Sequence, residues 1–452
     1  MKKVENRETG ERRDSEAAGE ALAALDALAA RPYRWGLAFY RLGISAFFAG
    51  GGLAWLKRKY KVGIGERMGR MGAEVPKNAL WVHAVSVGEV QSALALLGAA
   101  RKAPLPQILS TVTVTGRAMA ERLAPAAAAI YSPWDVPRFV RRALDALAPR
   151  AYVAMETERW PAMLAELQAR KIPAFLVNGR LSDRSARRLL GQKAFWRGVL
   201  CCFERLMVRF ESDREKFMAL GVPARKIVVT GDCKVDAMLL RRSAADTEKW
   251  RSLRREDGPL FLAGSTHEGE DEIVLSAFEK VRRTHPRARL LIAPRHPERA
   301  PSVAEAALRR GRTDWKTNWK TDLFSRLTPG WDVAVVDRIG VLFELYAAAD
   351  AAFVGGSLVP RGGQNLMEPA LFGIQVTHGP DMADFPDAPR MDALGASLEV
   401  GGAESLAEAW LRSLDPDGKE RTRRACETCF ASVGGAASRS WAVIESYLQP
   451  IP

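Results

Sequence analysis

The chain has 452 residues, 47% hydrophobic and 27% charged, which excludes a disordered or fibrous protein and exceeds one ordinary domain. Its formal net charge of +14, from 67 basic and 53 acidic residues, favours anionic partners. No basic tract interleaved with aromatics and no nucleic-acid-binding signature accompanies that charge. Phosphorylated small molecules and an anionic membrane surface are therefore expected, and nucleic acid is not. The five cysteines (Cys201, Cys202, Cys233, Cys426, Cys429) are too few and too irregular for a disulfide framework, which points to a reducing compartment. The lone Cys426-Glu-Thr-Cys429 spacing has no second pair and no nearby His, which weighs against a metal or redox role.

Residues 1–34 form a charged, then alanine-rich leader, whose apolar part stands too far from the basic start for a signal peptide. Residues 35–61 follow as a membrane-associating segment. Its core, Trp35 to Leu56, is apolar apart from Arg41 and is long enough as a helix to cross a bilayer. Arg41 and the run Gly50-Gly51-Gly52 weaken spanning. Trp35, Tyr40 and Trp55, with Lys57, Arg58, Lys59 and Lys61 just after, fit anchoring at a membrane interface. Spanning, interfacial and Gly-rich buried forms all stay open, with membrane association favoured.

From Val62 onward, strand-like runs alternate with helical ones, as parallel sheets built from βαβ units require. One series begins at Leu80–Val85, Ile108–Thr113, Ala128–Tyr131 and Ala151–Met155. It continues through Ala174–Val177, Leu206–Val208 and Ile227–Thr230. A second runs through Leu260–Ala263, Ala288–Ile292, Val333–Val336, Ala351–Val354 and Ile374–Thr377. Polar, helical Asp236 to Asp257 separates the two. The expected architecture is α/β: two doubly wound Rossmann-like domains facing a cleft, residues 62–235 and 236–452, behind an N-terminal apolar membrane-associating helix. A helical end, Leu411 to Tyr447, could pack back across the junction.

The stretch Ala79 to Val90, ALWVHAVSVGEV, runs from a buried strand through a Gly turn into a helix, and so puts Glu89 at a strand's carboxyl end. That edge of an open α/β sheet is where ligands bind. Glu89 is either a general base or a first-turn glutamate that complements the helix dipole. Other strand ends carry Thr111 to Gly116, Met155 to Pro161 with Glu156, Asn178 to Ser182, and Gly231 to Lys234. In the second half, Gly264-Ser265-Thr266 before the helix start His267-Glu268-Gly269-Glu270 offers backbone N–H groups and hydroxyls suited to phosphate, Arg295 offers a phosphate or base-edge contact, and Gly355-Gly356-Ser357 and Gly362-Gly363 are glycine-rich turns. Asn365 and Glu368 form either a helix-capping pair or a ribose-binding acceptor. No Walker A loop and no metal-ligand spacing occurs.

These motifs, in order, resemble those of the 3-deoxy-D-manno-octulosonic acid (Kdo) transferases of lipid A: HAVSVGE (His83–Glu89), TVTVTG, METERWP, NGRLSDRS, GDCK, GSTHEGE, PRHPER and GGSLVPRGGQNLMEPA (Gly355–Ala370). The resemblance covers the chain from about Val62 onward. It implies a GT-B fold and inverting, metal-independent transfer of Kdo from CMP-Kdo to a lipid A precursor (lipid IVA). The setting it implies is the cytoplasmic face of the inner membrane, with no cofactor. It implies Glu89 as proton acceptor, and Glu156 and Lys234 as transition-state groups. Pro294, Arg295, Ile339, Gly340, Val341, Asn365, Leu366, Met367 and Glu368 are the implied CMP contacts. The chain departs from the family at Val341, where a Glu is common, at Gln364, where a His is common, and at Asp232-Cys233 before Lys234. The alternatives are a GT-B transferase or epimerase acting on another nucleotide sugar, and a non-catalytic membrane-tethered binding protein.

Overall fold

Two parallel sheets of seven strands each organise the structure, a computed structural model that describes residues 33–52, 54, 56, 60–311 and 319–448. The alanine-rich leader up to Pro32, and Trp55, Lys57, Arg58 and Lys59 of the expected anchor, lie outside the described residues. The chain divides into two compact units, residues up to Ala237 together with Gly434 onward, and Met238–Val433.

The sheet of the first unit comprises β1 (Leu80–His83), β2 (Gln107–Thr111), β3 (Ala127–Tyr131), β4 (Ala151–Met155), β5 (Ala174–Gly179), β6 (Arg205–Val208) and β7 (Ile227–Val229). Their spatial order is β3-β2-β1-β4-β5-β6-β7, all parallel. The order reverses between β1 and β4, which makes their carboxyl ends the switch point of the sheet. Helices cover both faces, so the strands read as near-continuous apolar runs: Leu80, Trp81 and Val82 are all fully buried. Helix Pro137–Leu147 shows how the cover forms. Pro137 supplies a preset first turn, and Phe139, Val140, Ala143, Leu144 and Leu147 repeat at helical spacing on its buried face. The closing helix, Ala436–Glu445, belongs to this unit. Its first turn donates Gly435 and Ala437 N–H to Asp236, and Trp441 and Ile444 pack into the same core as helix Val87–Ala99.

In the second unit the strands are β8 (Leu260–Thr266), β9 (Arg289–Pro294), β10 (Thr321–Leu323), β11 (Val333–Val335), β12 (Ala351–Val354), β13 (Gln375–His378) and β14 (Ser397–Glu399), in the order β10-β11-β9-β8-β12-β13-β14. The edge strands β10 and β14 carry no clear sequence signal. Each is three residues long, and Ser397-Leu398-Glu399 is half exposed.

The spanning form of the expected membrane-associating segment is without support. Among the described residues no helix is long and apolar enough to cross a membrane. Residues 33–47 are helical, roughly 22 Å of helix against the ~30 Å of a bilayer core. A π-turn, Phe48–Gly52, kinks the chain after it, with Gly51 at φ 97°, and Ala54 and Leu56 beyond the kink are again helical. The helix lies against the first unit. Tyr40 donates to Asp135 at 2.8 Å, Arg41 pairs with Glu166 at 3.3 Å, and Phe48 packs on Trp134 and Phe139. Asp135 also accepts the Ala162 and Met163 N–H groups at the start of helix Pro161–Ala169. One buried carboxylate thus caps a helix and holds the N-terminal helix to it.

Candidate active site

Glu89 stands in the first turn of helix Val87–Ala99, directly after β1. Its Oε2 accepts the N–H of Val85 at 2.5 Å and of Ser86 at 3.3 Å. Its Oε1 accepts nothing from the described residues. One carboxyl oxygen fixes the strand-to-helix turn while the other stays available. Burial pushes this carboxyl above its ordinary range, the Val85 N–H opposes that, and the nearby charge of Glu156 adds to it.

Glu156 follows β4, the strand next to β1. It sits at φ 52°, a left-handed conformation that costs a non-glycine residue energy and is held only by its surroundings. Here Glu156 N–H donates to Val177 O at 2.9 Å, inside the sheet edge. The side chain is 3% exposed and faces two cations: Arg180 Nε at 2.9 Å from Oε2, and Lys234 Nζ at 3.0 Å from Oε1. Lys234 arrives from the end of β7 through a turn at Gly231 (φ 96°). Asp232 does not compete for the Lys234 ammonium. Its carboxylate takes Arg209 at 3.1 Å and the Lys234 backbone N–H at 2.9 Å. The cluster of one carboxylate and two cations keeps a positive excess at the sheet edge, suited to an anionic group.

The residues expected around a nucleotide lie at the carboxyl edge of the second sheet. Pro294 ends β9, and Arg295 beyond it is exposed, its N–H bonded to Thr266 O at 2.9 Å. Ile339-Gly340-Val341 follows β11, with Ile339 86% exposed and Gly340 at φ 90°. Asn365 to Glu368 comes after β12. Asn365 Oδ1 accepts the Met367 N–H at 2.9 Å, and Leu366 and Met367 are buried. Glu368 does not complete a capping pair. It faces Arg241 at 3.4 Å, and burial raises its pKa against that guanidinium. Arg241 lies over the Phe343 ring at 3.9 Å. More than a hundred residues separate Arg241 from Glu368, and no local pattern announces the pair.

One expectation is overturned here. The N–H groups of His267, Gly356, Ser357 and Leu358 donate to Glu270, at 2.8, 2.7, 3.0 and 2.9 Å. Of these, the His267 N–H lies at the helix start expected to receive phosphate, and a fully buried carboxylate of the protein takes it together with the three amides of the Gly356 turn. Gly355 is required beneath it, because a Cβ there would meet Ser265 O at 2.6 Å. The acidic start of GSTHEGE carried the signal, but an acidic first turn reads equally well as dipole compensation.

The edge geometry admits several nucleotide-sugar chemistries, and similarity to known proteins separates them. A model of the family described as 3-deoxy-D-manno-octulosonic-acid transferase (kdotransferase) matches residues 62–237. A 3-deoxy-D-manno-octulosonic acid transferase of Bordetella pertussis is 34% identical over 399 residues, covering 84% of this chain and 91% of its own. The chain belongs to the Kdo transferase family. A Haemophilus influenzae Kdo transferase is 30% identical over 402 residues, 86% of this chain and 92% of its own. Among solved structures, the UDP-GlcNAc 2-epimerase of Neisseria meningitidis matches with a TM-score of 0.55 at 14% identity, over 82% of this chain and 99% of its own. A glycosyltransferase of Rickettsia africae gives 0.52 at 11% identity, over 83% and 100%. Such distant likenesses show a shared GT-B-like fold of two parallel-sheet units and nothing of activity. Family membership makes this Kdo transferase a glycosyltransferase of lipopolysaccharide biosynthesis.

Proposed function

We propose that the enzyme transfers Kdo from CMP-Kdo to a lipid A precursor, with inversion and without a metal, using Glu89 as the base. The supporting observation is the division of labour in the Glu89 carboxyl at the switch point of the sheet, where Oε2 holds the turn and Oε1 accepts no hydrogen bond from the described residues. Glu89 removes the proton of the attacking sugar hydroxyl, and the oxygen attacks the Kdo anomeric carbon. The bond from that carbon to the CMP phosphate breaks, with its electron pair leaving on the phosphate. Lys234 meets the developing phosphate charge, while Arg180 keeps Glu156 neutralised. These cations supply the charge stabilisation that a metal brings to other phosphate leaving groups. On the second unit, Arg295 contacts the CMP phosphate, Gly340 and its neighbours contact it through the backbone, and Glu368 accepts from ribose hydroxyls.

The helix of residues 33–47 supplies a membrane contact for a lipid acceptor at the cytoplasmic face of the inner membrane. Trp35, Phe39 and Leu42 are 67%, 69% and 67% exposed. Their i, i+4, i+7 spacing puts them on one face, so the helix suits lying in an interface. The test of the base is Glu89→Gln. CMP-Kdo binding is retained and transfer falls by ~10²–10⁴-fold. Wild-type turnover by this variant would remove Glu89 from the role.

A further inference from the structure

Strand β5 ends beside Glu156, and its last residues depart from regular pairing. The register against β6 shifts between Leu176 and Gly179. Asn178 lies inside this bulge at φ 57°, a left-handed conformation that Asn adopts more readily than most residues. Bulges beside active sites re-aim side chains. The Asn178 side chain is fully buried, and its Oδ1 accepts the N–H of Cys233, 55 residues further on, at 2.9 Å. Its Nδ2 has no hydrogen-bond partner among the described residues. A buried amide with unpaired N–H groups costs stability, so the bond to Cys233 is the contact that accounts for an Asn here.

Cys233 opens helix Cys233–Ala244, and its N–H is one of the donors that a helix start leaves without an intrahelical partner. The next N–H, that of Lys234, goes to Asp232 Oδ1 at 2.9 Å. The first two residues of the helix are thus tied by side chains, Lys234 by its neighbour Asp232 and Cys233 by the distant Asn178. From this start the Lys234 side chain reaches Glu156 Oε1 at 3.0 Å. Glu156 is held by the same segment on both sides of Asn178. Its N–H donates to Val177 O at 2.9 Å, and its carbonyl accepts the Arg180 N–H at 3.4 Å. Residues 177–180 therefore hold Glu156 through their backbone and the Lys234 helix through one side chain.

We propose that Asn178 sets the position of Lys234 against Glu156. This inference rests on the reading of Lys234 as the group that meets the leaving phosphate. Asn178 is fully buried and acts through Lys234, so it is a positioning residue. Without its oxygen the Cys233 N–H is left unpaired in a buried place, and the helix start shifts toward another acceptor. Lys234 Nζ then leaves the place where phosphate charge develops. A misplacement of about 1 Å at a reacting group costs on the order of 10²-fold in rate.

Two measurements on the full chain test this. In the first, lysines are acetylated with acetic anhydride and Lys234 is followed by mass spectrometry. Lys226, held by the Cys201 and Phe203 carbonyls at 2.8 and 2.6 Å, is the internal reference. Asn178→Gly keeps the left-handed backbone and removes the oxygen. Its Lys234 should label several-fold faster than in wild type, with Lys226 unchanged. Asn178→Asp keeps an acceptor for the Cys233 N–H, and its Lys234 should label as slowly as in wild type. Unchanged Lys234 labelling in the Gly variant, or faster labelling in the Asp variant, would overturn the inference. In the second, kcat of Kdo transfer is compared for wild type, Asn178→Gly, Lys234→Met and the double variant. Asn178→Gly should lower kcat by about 10–100-fold with KM for both substrates little changed, and should cost nothing further in the Lys234→Met background. An equal loss in both backgrounds would overturn positioning through Lys234. Wild-type kcat in Lys234→Met would instead reject the phosphate role of Lys234, and the labelling would still decide the positioning.

Discussion

At the residue scale, the Glu89 carboxyl fixes the strand-to-helix turn through one oxygen, and the proposed base would act through the other. Helix cap and general base look like rival readings of the same glutamate, yet the two carboxyl oxygens separate them. The sequence placed Glu89 at a strand end because the buried run Leu80 to Ala84 stops at Ser86-Val-Gly, which no strand continues through. It could not divide the oxygens, since that depends on where the Val85 N–H points. Beneath this turn, His83 has a second consequence. Burial lowers its pKa from 6.5 to about 4. The folded-state value lies below the unfolded one, so between those values the unfolded chain binds the proton first. Stability from neutral His83 is complete above about pH 6.5 and falls as pH drops toward 4, by about 3 kcal/mol. Urea midpoints at pH 7 and 4.5 should therefore differ less in His83→Gln than in wild type. An equal difference in both proteins would contradict the buried neutral imidazole.

At the scale of elements, the central strands were legible because parallel strands covered on both faces are uninterrupted apolar runs. The edge strands β10 and β14 were not, since three-residue strands lack a pattern to find. The glycine turns of the second unit were found, but not what occupies the first of them. Gly356 to Leu358 form a nest of N–H groups of the kind that binds anions, and Glu270 from a helix start far back in the chain fills it. Sequence patterns locate such a nest but carry no information about which anion enters it. Glu270→Ala leaves those amides unpaired in a fully buried place, and should cost about 3 kcal/mol or more. For a unit of this size the expected fall in Tm is roughly 6–12 °C, read by calorimetry. A change under about 2 °C would mean water replaces the carboxylate without loss.

For the whole molecule, the charge of +14 and the exposed face of helix 33–47 are the observations behind the proposed contact with an anionic lipid surface. The apolar run reads as long enough to span, but Gly50 to Gly52 kink it, and Tyr40 and Arg41 tie its first helix to Asp135 and Glu166. Replacing Trp35, Phe39 and Leu42 together by Glu should abolish sedimentation with anionic vesicles and spare transfer to a detergent-dispersed acceptor. Unchanged sedimentation would exclude this face as the contact. The most direct measurement is incubation of the enzyme with CMP-Kdo and lipid A precursor, followed by mass spectrometry of the lipid. Wild type should add at least one Kdo to the lipid and release CMP, while Glu89→Gln binds CMP-Kdo and leaves the lipid mass unchanged. An unmodified lipid with wild type, or Kdo addition by Glu89→Gln at the wild-type rate, would contradict Kdo transfer with Glu89 as its base.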